Sequence, residues 1–299
     1  MLNEKIIGAY TNGNYKVMMG SEGTKIRYND ANYFAPEFPE SIDCKISNRC
    51  NMNCPMCHES STENGDLANL NHPIFDSLPK FTELALGGGS VLEHPDLIPF
   101  LERMRDKNVI CNITLHLDHF ETAATKIKYW QTSGLVHGVG VSVNQVPTDY
   151  QLDLLRMNPN ILVHVIAGVV PLDALSKMMN CGLKLLILGY KDYGRGHIYG
   201  ELHPEIQARI AQLEGLLGSL KHSFRVISFD NLALKQLHIQ QQIAEEEWNV
   251  GYMGEDGQFT MYLDMVKEEY AKSSTSAREP IFSNDIKDLF QRVRNENEK

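Results

Sequence analysis

From Ser41 onward, short apolar runs alternate with segments whose apolar residues recur at helical spacing. That alternation restricts the fold more than any other feature of the chain. The strand candidates span residues 42–46, 83–86, 109–115, 138–143, 162–169 and 184–188. Most are β-branched or Leu-rich, the composition expected of parallel strands buried on both faces. Helix candidates lie between them at 95–107, 120–132, 150–157 and 172–180. A longer one follows at 203–221, where Ile206, Ile210, Leu213, Leu217 and Leu220 share a face. Gly134 and Gly182 stand where helix C-caps belong. Repeated β–α units of this size make a parallel sheet with helices outside it. Alternation alone leaves open whether that sheet is doubly wound or curled into a barrel. In both, functional residues gather at the C-terminal ends of the strands.

Three regions follow. Residues 1–38 read as a β-rich N-terminal segment, in which runs at 15–19 and 24–28 flank a turn carrying Gly20 and Gly23. Residues 39–240 hold the α/β pattern, with a further strand at 224–229. Residues 241–299 form a C-terminal extension. A hairpin is expected there from 251–253 and 258–263 around Glu255, Asp256 and Gly257. Beyond it, a polar and peripheral tail carries one amphipathic stretch near 286–293.

Composition removes several function classes. The 42% hydrophobic and 22% charged fractions exclude a disordered or collagen-like chain. No run approaches the ~18 apolar residues of a membrane span. The first residues lack the apolar stretch and small-residue cleavage site of a secretion signal, so a cytoplasmic location is expected. The net charge of −10, with no Lys/Arg run interleaved with aromatics, gives no general attraction for nucleic acid.

The six cysteines are unevenly placed. Cys50, Cys54 and Cys57 fall within eight residues, directly after the first strand of the α/β series. Cys44, Cys111 and Cys181 are scattered through apolar segments and read as small buried hydrophobes. A tight cluster in a chain of this size points to metal or redox chemistry rather than to a disulfide framework. Three thiolates spaced Cys-x3-Cys-x2-Cys can wrap one face of a [4Fe–4S] cluster. Four cysteines are usual, so three leave one iron open to a small-molecule chelator. The competing reading adds His58 to make a Cys₃His zinc site, and with it a non-catalytic zinc-binding interaction protein on a degenerate barrel. Adjacent Cys57 and His58, however, strain to reach one tetrahedral ion.

The cysteine spacing resembles that of the radical S-adenosylmethionine (SAM) superfamily, and the resemblance extends over residues 40–235. It implies an α/β fold, a partial (β/α)6 TIM-like barrel with the N-terminal β segment and C-terminal extension as additions. It further implies a [4Fe–4S] cluster on Cys50, Cys54 and Cys57, with SAM chelating the open iron. Reductive cleavage of SAM then yields a 5′-deoxyadenosyl radical that abstracts hydrogen from a small-molecule or peptide substrate. The partners implied are that substrate and an electron donor such as flavodoxin or ferredoxin.

Further positions resemble the superfamily's SAM contacts. Gly87, Gly88 and Gly89 after the second strand match a Gly-Gly-Glu-like element for the SAM amino group, with Ser90 where Glu is usual. Ser142 and Asn144 share one face of the fourth strand and match the ribose position. Ile166 and Gly168 match part of an adenine-packing pattern whose ends are replaced by His164 and Pro171. Met56 stands where an aromatic commonly precedes the last cluster cysteine. Arg195, between Gly194 and Gly196, is a candidate clamp for a carboxylate of SAM or substrate. His116, Asp118, His119, Asp230 and Asn231 are candidate mouth residues. No cysteine follows Cys181, so a C-terminal auxiliary-cluster module is not expected.

Overall fold

A computed structural model describes residues 4–31 and 33–297. Its first sheet is antiparallel: β1 (Ile6–Asn12) pairs with β2 (Tyr15–Gly20), which pairs with β3 (Lys25–Tyr28). The two expected strands are β2 and β3, and β1 is additional.

The second sheet carries the α/β pattern. Strands β4 (Ser41–Ser47), β5 (Glu83–Gly88), β6 (Ile110–His116), β7 (Val139–Ser142), β8 (Ile161–Ile166), β9 (Lys184–Leu188) and β10 (Val226–Phe229) lie side by side in sequence order. Each pairs parallel with the next. A doubly wound sheet reverses its strand order at a switch point. This one never reverses, so the winding is that of a barrel. Strand β11 (Thr260–Asp264) then adds parallel to the free edge of β4, followed by antiparallel β12 (Glu269–Ala271) and β13 (Glu279–Pro280).

Contacts across the strand C-termini show how far the sheet curls. Arg195, which follows β9, donates to Cys54 O at 3.1 Å and to Ser61 O at 2.8 Å in the loop that follows β4. Five inter-strand steps in a flat sheet span about 24 Å. Only a sheet bent around a lumen brings those groups together. The helices lie outside: α1 (Leu97–Asp106), α2 (Leu117–Thr132), α3 (Asp149–Met157), α4 (Leu172–Met178), α5 (Arg195–Leu202), α6 (Ile206–Lys221), α7 (Asn231–Gln236), α8 (Glu245–Gly251) and α9 (Ile286–Asn297). Among the described residues, none is long and apolar enough to cross a membrane.

The strands are not buried on both faces, as their composition led one to expect. Burial alternates strictly along β6 and β8. Leu86, Ile113, Val141, Val163 and Ile187 point to the helices and join the main core. The other face carries Asp43, Asn112, Thr114, Ser142 and His164, all at least partly accessible. The interior of a complete (β/α)8 barrel is packed with branched apolar side chains; this lumen is polar and partly open.

The C-terminal extension also differs from expectation. Of the residues expected as the first hairpin strand, Gly251 ends α8, Tyr252 caps it and Met253 is irregular, and the turn falls after β11, at 265–268. Thr260 to Asp264 takes β12 as its local partner on one side and, on the other, the β4 edge with its unpaired backbone groups. The tail is not peripheral: Ile286, Leu289, Phe290 and Val293 of α9 are buried in the main core. Side chains from the extension meet residues following β9 and β10. Lys191 Nζ donates to Ser274 Oγ at 2.9 Å, and Asn231 Nδ2 to Asp256 Oδ1 at 2.8 Å. These contacts bridge the seam that the ladder leaves open.

At the opposite, N-terminal ends of the strands, the small sheet forms the floor. Lys25 pairs with Glu83 at 2.9 Å, Glu22 with Lys184 at 2.8 Å, and Arg27 with Glu40 at 2.8 Å. Glu40 is 1% exposed and also accepts from the Tyr15 hydroxyl at 2.6 Å. Glu40→Ala strands the Arg27 charge and is expected to cost about 3–5 kcal/mol, read as a lower urea midpoint. A second prediction concerns pH. Burial, with Lys191 adding to it, holds the His164 imidazole down to about 4. Unfolded histidine protonates near 6.5, so between those values the unfolded chain binds more protons and stability falls as pH falls. His164→Gln should flatten that limb of the stability curve, and an unchanged slope excludes His164 as its source.

Candidate active site

The cysteine loop leaves β4 at Ser47, at the C-terminal end where the lumen opens. It folds back on its own stem: Cys50 N donates to Thr62 O at 2.8 Å, Thr62 N to Asn48 O at 3.1 Å, and Asn48 N to Asp66 O at 2.8 Å. Within it, Cys57 N reaches Cys54 O at 3.2 Å and Ser60 N reaches Cys57 O at 3.1 Å, so the last two cysteines flank a tight turn. All three cysteines are half-buried and free. Burial raises the thiols of Cys50 and Cys54, and Cys57 raises both further by charge repulsion. Among the described residues, no three His, Cys, Asp or Glu side chains form a ready single-ion site.

Elements on two sides brace this loop. From the end of β5, Gly89 N donates to Ser47 O at 2.6 Å and Ser90 N to Arg49 O at 2.7 Å. Gly88 takes a φ of +101°, and a Cβ there would sit 2.3 Å from Ser47 O, so no other residue fits. The amides of Gly89 and Ser90 are thus used by the protein itself, while a Cβ on Gly87 would meet nothing within 4 Å. His94, just beyond, contacts Ala68 O at 2.9 Å, and His119 at the start of α2 contacts Asn51 Oδ1 at 2.7 Å.

On the other side stands α5. Its first residue, Arg195, donates through Nε to Cys54 O at 3.1 Å and through Nη1 to Ser61 O at 2.8 Å. The candidate carboxylate clamp therefore holds the cysteine loop's own carbonyls. Gly194 lets the two segments meet: at φ +57°, its Cβ would lie 2.3 Å from His58 O.

The remaining candidates divide by face. Ser142, Asn144 and Ile166 lie at the ends of β7 and β8 and are partly accessible. Ser142 is in register with His164. Among the described residues, Asn144 Oδ1 is buried without a hydrogen-bond partner, which leaves it able to accept from an external donor. Gly168, in contrast, packs against Ile206 and Ile210 of α6, on the outer side of the sheet. Met56 is half-buried against the main core. Asp118 accepts from Gln145 and Gln151, so it serves the α2–α3 contact. Asp230 caps α7 through Ala233 N at 2.7 Å. Cys44 and Cys111 are buried and their thiols pushed up, Cys111 to about 12, as befits small hydrophobes.

Sequence reasoning missed a buried ionic group beside the loop. Glu59, 6% exposed, meets Lys45 Nζ at 2.8 Å and accepts from the Tyr262 hydroxyl at 2.9 Å. Arg278 lies 3.8 Å away and pairs with the fully buried Asp264, which Lys45 also approaches at 3.3 Å. Two cations thus face two anions. His58 Nε2 sits 3.3 Å from Glu59 Oε1. Burial works to raise the Glu59 carboxyl, but the bonds from His58 and Lys45 hold it well below the usual range. The signal was present in the sequence: Lys45 and Asp264 are charges inside otherwise apolar strands.

No protein-family model matches the sequence, and no curated protein matches it. Among solved structures, the chain is similar to SuiB of Streptococcus suis bound to the precursor peptide SuiA, with a TM-score of 0.63 at 8% identity over 94% of this chain and 86% of that one. It is also similar to SuiB bound to S-adenosylmethionine, with a TM-score of 0.57 at 9% identity over 95% of this chain and 88% of that one. At such identity the likeness concerns architecture, and the chain has the SuiB fold.

Proposed function

We propose that the chain is a radical SAM enzyme acting on a peptide or small-molecule substrate, with a [4Fe–4S] cluster held by Cys50, Cys54 and Cys57. One observation supports this reading: Cys50, Cys54 and Cys57 share one braced loop at the C-terminal mouth of a curled parallel sheet with a polar lumen. The donor set suits the group, because thiolates are the usual ligands of iron–sulfur clusters and three of them leave a coordination position for SAM. When bound, the cluster supplies the electron that splits the C5′–S bond of SAM, and the radical so formed removes a hydrogen atom from the substrate.

The chain's own residues do the rest. The raised thiols of Cys50 and Cys54 must lose their protons to ligate, so iron uptake releases acid. Asn144, with its unpartnered Oδ1, and neighbouring Ser142 are assigned to the ribose hydroxyls. Gly87 leaves space beside the loop, and Ile166 supplies an apolar wall. Arg195 is assigned to hold the loop rather than SAM. A single-electron donor of the flavodoxin or ferredoxin type completes the reaction, and the free cysteines suit a reducing cytoplasm.

A peptide substrate is favoured over a small metabolite by the fold shared with SuiB, which has been solved with a precursor peptide. A cleft of about 640 Å³ beside the seam is lined by Asn231, Lys235, Asp256, Lys272, Ser273 and Arg294. The zinc-binding reading is weaker, because His58 is turned toward Glu59.

After anaerobic reconstitution, the protein should hold about four irons and absorb broadly near ~400 nm. Cys54→Ala should abolish both that loading and 5′-deoxyadenosine formation. Undiminished SAM cleavage by the variant, or stoichiometric zinc in the parent, overturns the reading. Asn144→Leu should weaken SAM binding about tenfold, the worth of one buried hydrogen bond, by calorimetry on the loaded protein. An unchanged Kd removes Asn144 from the site.

A further inference from the structure

We propose that the C-terminal extension sets the position of the cysteine loop, with Glu59 as the positioning residue through which it acts. The loop cannot hold itself. Asn53 and Ser60 both take left-handed conformations, with φ of +46° and +51°, which non-glycine residues keep only where neighbours enforce them. Between Cys54 and Ser60 the loop's own backbone bonds are local, from Cys57 to Cys54 and from Ser60 to Cys57. Two residues outside these bonds tie the stretch to the rest of the protein. Arg195 holds it from α5, through Nε to Cys54 O and through its backbone N to Cys57 O and Ser60 Oγ, both at 3.2 Å. Glu59 is gripped by Lys45 and Tyr262 from the β4 side.

Of the groups around Glu59, only Lys45 and His58 belong to β4 or to the loop itself. Tyr262 comes from β11, and Arg278 from the segment before β13, both in the extension. Asp264, also on β11, completes the arrangement: it pairs with both cations, so the extension adds one anion and one cation to the buried Lys45–Glu59 pair. Without β11, Lys45 would lose its second ion pair and Glu59 the phenol, leaving the Glu59 carboxylate to Lys45 and His58. The extension therefore does more than close the seam, because it completes the socket for the stretch bearing Cys57.

This inference rests on the proposed cluster for its purpose but not for its test. Hydrogen exchange would be followed by mass spectrometry on the full-length, metal-free protein and its Glu59→Gln and Tyr262→Phe variants. Tyr262→Phe keeps the ring and the charge balance and removes one hydroxyl bonded to a carboxylate. Peptides covering 50–62 should exchange about tenfold faster in Tyr262→Phe, and faster still in Glu59→Gln, while β6–β8 keep the parent's protection. In iron-loaded protein, a chelator should strip iron faster in the same order, and the electron paramagnetic resonance signal of the reduced form should broaden. Loop exchange equal to the parent's in Tyr262→Phe overturns the proposal, as does a uniform rise across loop and barrel alike. Should Glu59→Gln fail to fold, Tyr262→Phe decides alone. A parent that takes up no iron, yet whose loop responds as stated, refutes the cluster and leaves the positioning role standing.

Discussion

Two backbone hydrogen bonds, from Gly89 N to Ser47 O and from Ser90 N to Arg49 O, hold the root of the cysteine loop against the end of the neighbouring strand. The rest of the site is arranged around them. They are possible because Gly88 adopts a backbone conformation closed to other residues and carries no Cβ to strike Ser47 O. The glycine run beside the loop thus first has a structural task, and only Gly87 is left facing open space. A glycine-rich turn after a strand invites a reading as a ligand cradle, yet here its amides are already satisfied within the chain.

The polar lumen is the second constraint. A sheet whose inner face bears Asp43, Asn112, Thr114 and His164 cannot close into a dry, fully packed barrel without stranding those groups. The sheet instead curls, keeps its inner face partly wet, and takes its apolar packing from the helix side alone. The small antiparallel sheet seals the floor through the Glu40, Glu22 and Glu83 ion pairs. Solvent and ligand are left the strand C-termini and the seam.

The C-terminal extension shows how one segment can serve fold and site together. By pairing with β4 it covers an edge that would otherwise be exposed, and by the same register it presents Tyr262 and Asp264 to the cysteine loop. Period-two alternation makes the two inseparable: a shift of one residue in β11 would turn both side chains to the other face.

The parallel sheet, its strands, most of its helices and the three clustered cysteines were legible in the sequence, because each depends on local periodicity or spacing. Cys50, Cys54 and Cys57 lie close together in the chain, and nothing distant is needed to group them. Strand order was not legible, since alternating β and α segments fit a doubly wound sheet as well as a curled one; long-range pairing made the choice. Nor were the tasks of Arg195, Gly168 and Glu59 visible, because each is defined by contacts with residues far away in sequence. Arg195 lies 141 residues from the carbonyl it holds, and Glu59 lies 203 from Tyr262. Such partners are chosen by burial and charge balance in the folded state, which no single stretch of sequence contains.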